Sequence, residues 1–205
     1  MIKNFRDISK YNSKIKKGII FRSSALCLCK EKNFLKNMLK KYQINTIIDL
    51  RADREIKEFF YDEEEKNNYE IINAAFDPWK QSIEFKNTYN YGNNSEIAYR
   101  FFSIECKKSI KKVIEIILNS KNAVNIHCHA GKDRTGIVIS IFHLLSGANE
   151  NEIFRDYLAS EMDTKKEYLK IFLDIVKESS GIEKYLRTCL LTKKQIENLK
   201  IKLCR

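Results

Sequence analysis

The stretch from Val124 to Ser140, VNIHCHAGKDRTGIVIS, constrains the fold more than any other part of the 205-residue chain. Residues Ala123 to His127 are few, partly β-branched and followed by a glycine-bearing loop, which predicts a buried strand. An apolar helix is predicted from Thr135 to Leu145, with Gly147 as its C-terminal stop. Strand, loop and helix in this order make one unit of a layered α/β fold. The loop concentrates scarce residues. The chain has three histidines and six glycines, and two of each lie in this stretch around Cys128 and Arg134.

The rest of the pattern extends that unit. GIIFRS, NTIIDLR and EIINAAF read as strands, with a helix around Asn33 to Lys41 between the first two. Ile97, Phe101, Phe102, Ile110, Val113, Ile114 and Ile117 recur at helical spacing and predict one helix from about Ser95 to Asn119. After Gly147 the chain reads as helices over Glu150–Ala159, Lys165–Glu178, Ile182–Leu191 and Lys193–Leu203. The expected fold is α/β: a central sheet of about four to five strands flanked by helices, with a helical C-terminal part. One domain over residues 1–205 suffices for this length.

Composition removes several function classes. An apolar fraction of 43% with a single proline excludes a low-complexity or Pro-rich chain. The basic start lacks the apolar core of a secretory signal, and no apolar run approaches the ~20 residues of a membrane span. A cytoplasmic location is expected, with the six cysteines as reduced thiols. The formal charge is +11, and residues Met1 to Ile48 carry twelve Lys or Arg against two acids. Such a basic face attracts phosphorylated protein, anionic lipid or nucleic acid, although 29 of the 38 basic residues are lysines and reflect a general bias. No aromatic-interleaved basic motif supports nucleic acid as a partner. Arginines are scarce, so Arg22, Arg51 and Arg134 carry more information than any lysine.

Cys128 precedes Arg134 by six residues, and their surroundings give that spacing meaning. Gly131 permits an unusual turn, and the backbone N–H groups of His129, Ala130, Gly131, Lys132, Asp133 and Arg134 can curl into an anion-binding nest at the start of a helix. The same field favours the ionised form of a thiol, which makes Cys128 a nucleophile. Arg134 offers a planar fork for two phosphoryl oxygens, a geometry lysine lacks. Attack on phosphorus would leave a phosphocysteine for water to hydrolyse.

HCHAGKDRTG resembles the signature loop of the cysteine-dependent phosphatases, His-Cys-x5-Arg-Ser/Thr. In its AGKDRTG form it is similar to the bacterial tyrosine and dual-specificity phosphatase family, which includes lipid-directed members. NFRD from Asn4, IIFRSSAL with Arg22 and Ser23, IIDLRADRE from Ile47, DYLAS after the loop and GIEKYLR near the end resemble that family's landmarks in order. Here NFRD is followed by Ile8, Ser9 and Lys10 instead of a leucine and paired glycines. The resemblance implies Cys128 as nucleophile, Arg134 as phosphate clamp, Thr135 as the hydroxyl that stabilises the departing thiolate and His127 as a support for the loop. It points to Asp133 as general acid; the alternative is Asp77 in FDPW, for which an Asx-turn is the structural account. Asp49 and Arg51, at the end of a predicted strand, either organise the loop, hold substrate or form a plain ion pair. Arg22 is a further support.

Lys132 adds a second cation to the loop, and similar loops occur in phosphatases acting on phosphoinositides. The partners expected are therefore phosphorylated proteins, or an anionic phospholipid or inositol phosphate, with peripheral membrane contact and no transmembrane segment. No cofactor is implied, and no metal: His127 and His129 flank Cys128, but neighbours on a strand point to opposite faces. The other readings are a cysteine phytase-type inositol polyphosphate phosphatase, a non-catalytic phosphate-binding module and a sulfur transferase.

Overall fold

In a computed structural model describing residues 2–205, five strands form one mixed sheet in the order β1-β2-β5-β3-β4. They are β1 Arg6–Asp7, β2 Ile20–Ser23, β3 Ile44–Asp49, β4 Glu70–Asn73 and β5 Ala123–His127. All neighbouring pairs are parallel except β1 against β2. β5 lies in the middle, so the strand that leads into Cys128 is flanked by β2 and β3. Ser23 and Asp49 both stand level with His127. The loops that follow these three strands therefore emerge side by side.

Parallel strands need both faces covered, and the alternation of side chains provides for it. One face of β3 and β5 presents Ile47 and Ala123, which pack with Phe21, Leu35, Leu39 and Tyr61 beneath helix α1 (Lys32–Lys41). The other presents Ile48, Val124 and Ile126 to a larger core. That core is completed by α5 (Asn94–Ile104), α6 (Lys107–Asn119) and α7 (Asp133–Leu145), with α8 (Glu150–Leu158), α9 (Lys166–Glu178), α10 (Ile182–Thr188) and α11 (Lys193–Leu203). α7 is buried along almost its whole length, which is why its apolar residues form a run and not a stripe.

Three short helices lie outside the sequence expectation: α2 (Asp53–Glu58), α3 (Glu63–Asn68) and α4 (Ile83–Thr88). The single helix expected from Ser95 to Asn119 is two. The break falls at Glu105 and Cys106, where the Cys106 backbone turns to ψ +23° and the Glu105 carboxylate accepts the Ser82 N–H at 3.0 Å and the Ser82 hydroxyl. All six cysteines are free thiols. Among the described residues no helix is long and apolar enough to cross a membrane.

Candidate active site

The loop between β5 and α7 is defined by where its carbonyls go. Four consecutive carbonyls each accept a hydrogen bond from outside the loop. His127 Nδ1 donates to Cys128 O at 3.0 Å, Ala25 N to His129 O at 2.9 Å, Asn4 Nδ2 to Ala130 O at 2.8 Å and Arg22 Nη2 to Gly131 O at 2.8 Å. Turning the carbonyls outward leaves the intervening N–H groups to the concave side, the arrangement that makes a nest for an anion. Gly131 has φ +69°, and a Cβ there would collide with the Ser23 carbonyl and the Ser24 nitrogen. Only glycine lets the loop lie this close to the end of β2.

Each outside donor is itself fixed. The Cys128 carbonyl can only accept, so His127 carries its proton on Nδ1. Nε2 is thereby free to accept from the Tyr61 hydroxyl at 2.6 Å. Burial pushes the His127 pKa down, against the pull of Asp49, whose Oδ1 is 3.8 Å from Nδ1. The imidazole is therefore held neutral. His127 faces the α1 side with Tyr61 while Cys128 belongs to the opposite core, so strand alternation separates them as expected. Among the described residues no three His, Cys, Asp or Glu side chains form a group able to hold a metal.

Arg22 is fully buried and belongs to a charge cluster behind the loop. Its Nη1 is 2.5 Å from Asp156 Oδ2, and Arg6 Nε is 2.7 Å from Asp156 Oδ1. Arg6 also donates to the Asn4 carbonyl at 3.1 Å, so Asp156 stands behind both Arg22 and the segment that carries Asn4. Burial would raise the Asp156 carboxyl, but Arg22, His143 and Arg6 together hold it far below the usual carboxylate range. One anion between two guanidinium groups is the condition under which such charges can be buried at all.

Arg134, in the first turn of α7, is gripped by a residue the sequence reading gave no role. Glu55 of α2 accepts from Arg134 Nη1 at 2.5 Å and Nη2 at 2.7 Å, and its Oε2 also accepts the Ala52 N–H at 2.9 Å. This end-on grip leaves the Nε side of the fork for an oxyanion, and the Arg134 cation interacts electrostatically with the Cys128 sulfur. Arg51 binds Asp49 through Nε and Nη2, the latter at 2.7 Å, and donates to the Phe59 carbonyl at 2.8 Å, an ion pair within the segment itself. The partner of Arg134 is thus Glu55 and not Asp49. Asp49 and Arg51 brace the segment leading to α2.

Thr135 is fully buried, and its hydroxyl has no hydrogen-bond partner among the described residues. Asp133 accepts the Tyr99 hydroxyl at 2.7 Å, and Tyr99 in turn bonds Tyr157 at 2.7 Å. Gly136 lets the Tyr157 ring come close, since a Cβ there would lie 2.9 Å from it. Asp77 accepts the Trp79 N–H at 3.0 Å and lies 3.6 Å from Lys80, the Asx-turn geometry given as its structural account. Lys132 Nζ donates to the Asp163 carbonyl at 2.7 Å and lies 3.3 Å from Asp133 Oδ1. His129 is exposed, with its ring 5.4 Å from that of Phe59.

A cysteine and an arginine bracketing a loop of outward-bonded carbonyls make a candidate oxyanion site, and comparison with known proteins gives the chain its family. The model of the tyrosine phosphatase family matches residues 1–165, and the chain belongs to that family. It is 24% identical over 185 residues to the triple specificity protein phosphatase PtpB of Mycobacterium tuberculosis, covering 77% of this chain and 66% of PtpB. It is 25% identical over 123 residues to OCA1 of Scheffersomyces stipitis, covering 59% and 55%. The matches thus span less than two-thirds of those relatives' own lengths. The fold is shared with TpbA of P. aeruginosa (TM-score 0.51, 9% identity, 92% of each chain). It is shared too with the Siw14 catalytic core (TM-score 0.50, 18% identity, 86% of this chain and 92% of the other).

Proposed function

We propose that this protein is a cysteine-dependent phosphomonoesterase acting on phosphoproteins, with phosphotyrosine as the leading substrate class. The observation that carries this reading is the run of four outward-bonded carbonyls from Cys128 to Gly131, which leaves the loop amides to an oxyanion beside Cys128. Family membership and the name of PtpB support it. Cys106 and Cys189 are no rivals as nucleophiles, since burial pushes the first thiol far up and the second up to about 12.

The chemistry follows from the geometry. The Cys128 thiolate attacks phosphorus and forms an S–P bond as the ester P–O bond breaks. The leaving oxygen takes that electron pair and a proton from Asp133. The loop amides and the Nε side of Arg134 hold the equatorial oxygens through the transition state. Asp133, now a carboxylate, takes a proton from water as the water oxygen attacks phosphorus; the S–P bond breaks and inorganic phosphate leaves. Thr135, whose hydroxyl has no other partner among the described residues, hydrogen-bonds the returning thiolate. Asp133 is favoured over Asp77 because it opens α7 next to Arg134, on the same strand–loop–helix unit as Cys128.

A soluble inositol polyphosphate is the second reading. It draws on Lys132 as an added cation, but that ammonium is bound to Asp163 and Asp133, which favours the protein substrate. Cys128→Ser should abolish hydrolysis of p-nitrophenyl phosphate and of a phosphotyrosyl peptide while the fold persists. Hydrolysis surviving in that variant contradicts the mechanism. Phytate consumed faster than the phosphopeptide by the wild type would move the assignment to the second reading.

A further inference from the structure

The excess positive charge has a place in the fold. Strands β2, β5, β3 and β4 are parallel, so all start at one edge of the sheet, and the phosphate loop leaves from the other. Lys16 and Lys17 stand just before β2, Lys121 before β5, and Lys40 and Lys41 before β3. Helix α11 ends on the same edge: Ile15 pairs with Cys204, Lys16 Nζ donates to the Ile201 carbonyl at 2.6 Å, and Lys202 Nζ to that of Leu118 at 3.3 Å. Lys17, Lys40 and Lys121 are exposed and have no ion-pair partner among the described residues. The acids nearest this edge are engaged locally. Asp7 accepts the Gly18 N–H at 2.7 Å, and Glu70 the Thr46 hydroxyl at 2.9 Å.

Three features say what kind of anion suits this edge. Its cations are almost all lysines, which act as hydrated point charges on a diffuse field and lack the fork that reads individual phosphates. Apolar groups lie exposed among them, Ile201 at 72% and Tyr42 at 37%, where a bilayer interface would take them. A recess of about 430 Å³ opens between the starts of β5, β3 and β4, lined among others by Lys40, Gln43, Asn45, Tyr69 and Asn122. Its carboxamides can donate to the oxygens of a headgroup.

We propose that this edge docks onto an anionic phospholipid membrane. The six residues of β3 then hold the phosphate loop about 20 Å from the bilayer and facing away from it. On the reading proposed above, the membrane-held enzyme takes its phosphoester from the aqueous side.

Sedimentation with vesicles of phosphatidylcholine alone, and of phosphatidylcholine with phosphatidylserine, tests the surface independently of catalysis. The wild type and Cys128→Ser should both sediment with the second vesicles and not the first. Replacing Lys17, Lys40, Lys41 and Lys121 by alanine should weaken that binding by about fivefold for each lysine removed. Hydrolysis of p-nitrophenyl phosphate by that variant should equal the wild type's, which shows that it is folded. Orientation is read from Trp79, the chain's single tryptophan, which lies against Arg54 just beyond the catalytic end of the strands and is 49% exposed. Its emission should not shift on vesicle binding. Equal sedimentation with both vesicles, undiminished binding by the alanine variant, a blue shift of Trp79, or retention on RNA or an acidic protein without vesicle binding would each overturn the proposal. Loss of hydrolysis in Cys128→Ser bears on the phosphatase reading alone.

Discussion

The two edges of the sheet use positive charge in opposite ways. At the catalytic edge it is arginine, paired and largely buried: Arg6 and Arg22 with Asp156, Arg51 with Asp49, and the half-buried Arg134 with Glu55. At the edge where the strands start it is lysine, exposed and largely unpaired. A guanidinium fixed by a carboxylate has a direction and can aim a carbonyl or an oxyanion; a mobile ammonium contributes a field. The first edge should be intolerant of substitution and the second tolerant.

The sharpest way to break this contrast is Asp156→Asn. It leaves two buried guanidinium groups without their shared anion, and a loss of about 3–5 kcal/mol in urea unfolding is expected. A loss no larger than that of a surface substitution would remove the cluster from the account. Glu55→Gln comes next: Arg134 keeps its charge but loses a charged partner worth roughly 1.5–3 kcal/mol. The expected result is a fall of about 10- to 100-fold in kcat/KM for a phosphotyrosyl peptide, with a smaller loss in urea unfolding than that of Asp156→Asn. An unchanged kcat/KM would mean that Arg134 aims itself.

A smaller effect is expected from acid. His127 is held neutral in the fold, whereas in the unfolded chain it takes up a proton near pH 6.5, so the unfolded state binds more protons as pH falls. Its contribution to stability is complete above that pH and should be lost by up to about 1.4 kcal/mol per pH unit below it, until the folded imidazole protonates too. Stability measured against pH should lose this component in His127→Gln. Parallel curves for the two proteins would show that the imidazole takes up its proton at the same pH in the fold as in the unfolded chain. The smallest effect belongs to the other edge, where Lys17→Ala should change stability by no more than about 0.5 kcal/mol. A larger loss would mean that this lysine is part of the packed structure.

Much of the catalytic edge was legible because it is written in contiguous residues. Cys128, Gly131, Arg134 and Thr135 lie within one strand–loop–helix unit, and the spacing of apolar residues marked β5 and α7. What was missed depends on distance in the chain. Glu55 follows IIDLR closely, but nothing in its neighbourhood says that it meets a residue 79 positions later. Asp156 and Asn4 stood in recognised landmarks without roles, since their partners are found only once β2, α8 and the N-terminal segment are brought together. Helices α2, α3 and α4 have six residues each, too few for a helical period to show. β1 has two. The charge excess could be counted from sequence, yet its separation from the catalytic loop follows from the parallel order of the strands.

The central claim is that outward-held carbonyls present the amides of His129 to Arg134 to an oxyanion at Cys128. The most direct test is to titrate inorganic tungstate into ¹⁵N-labelled Cys128→Ser and follow the amide resonances. Saturable shifts concentrated on His129 to Arg134, weakened by Asn4→Asp, are predicted. Saturation elsewhere in the molecule, or no change at those amides, would contradict the account.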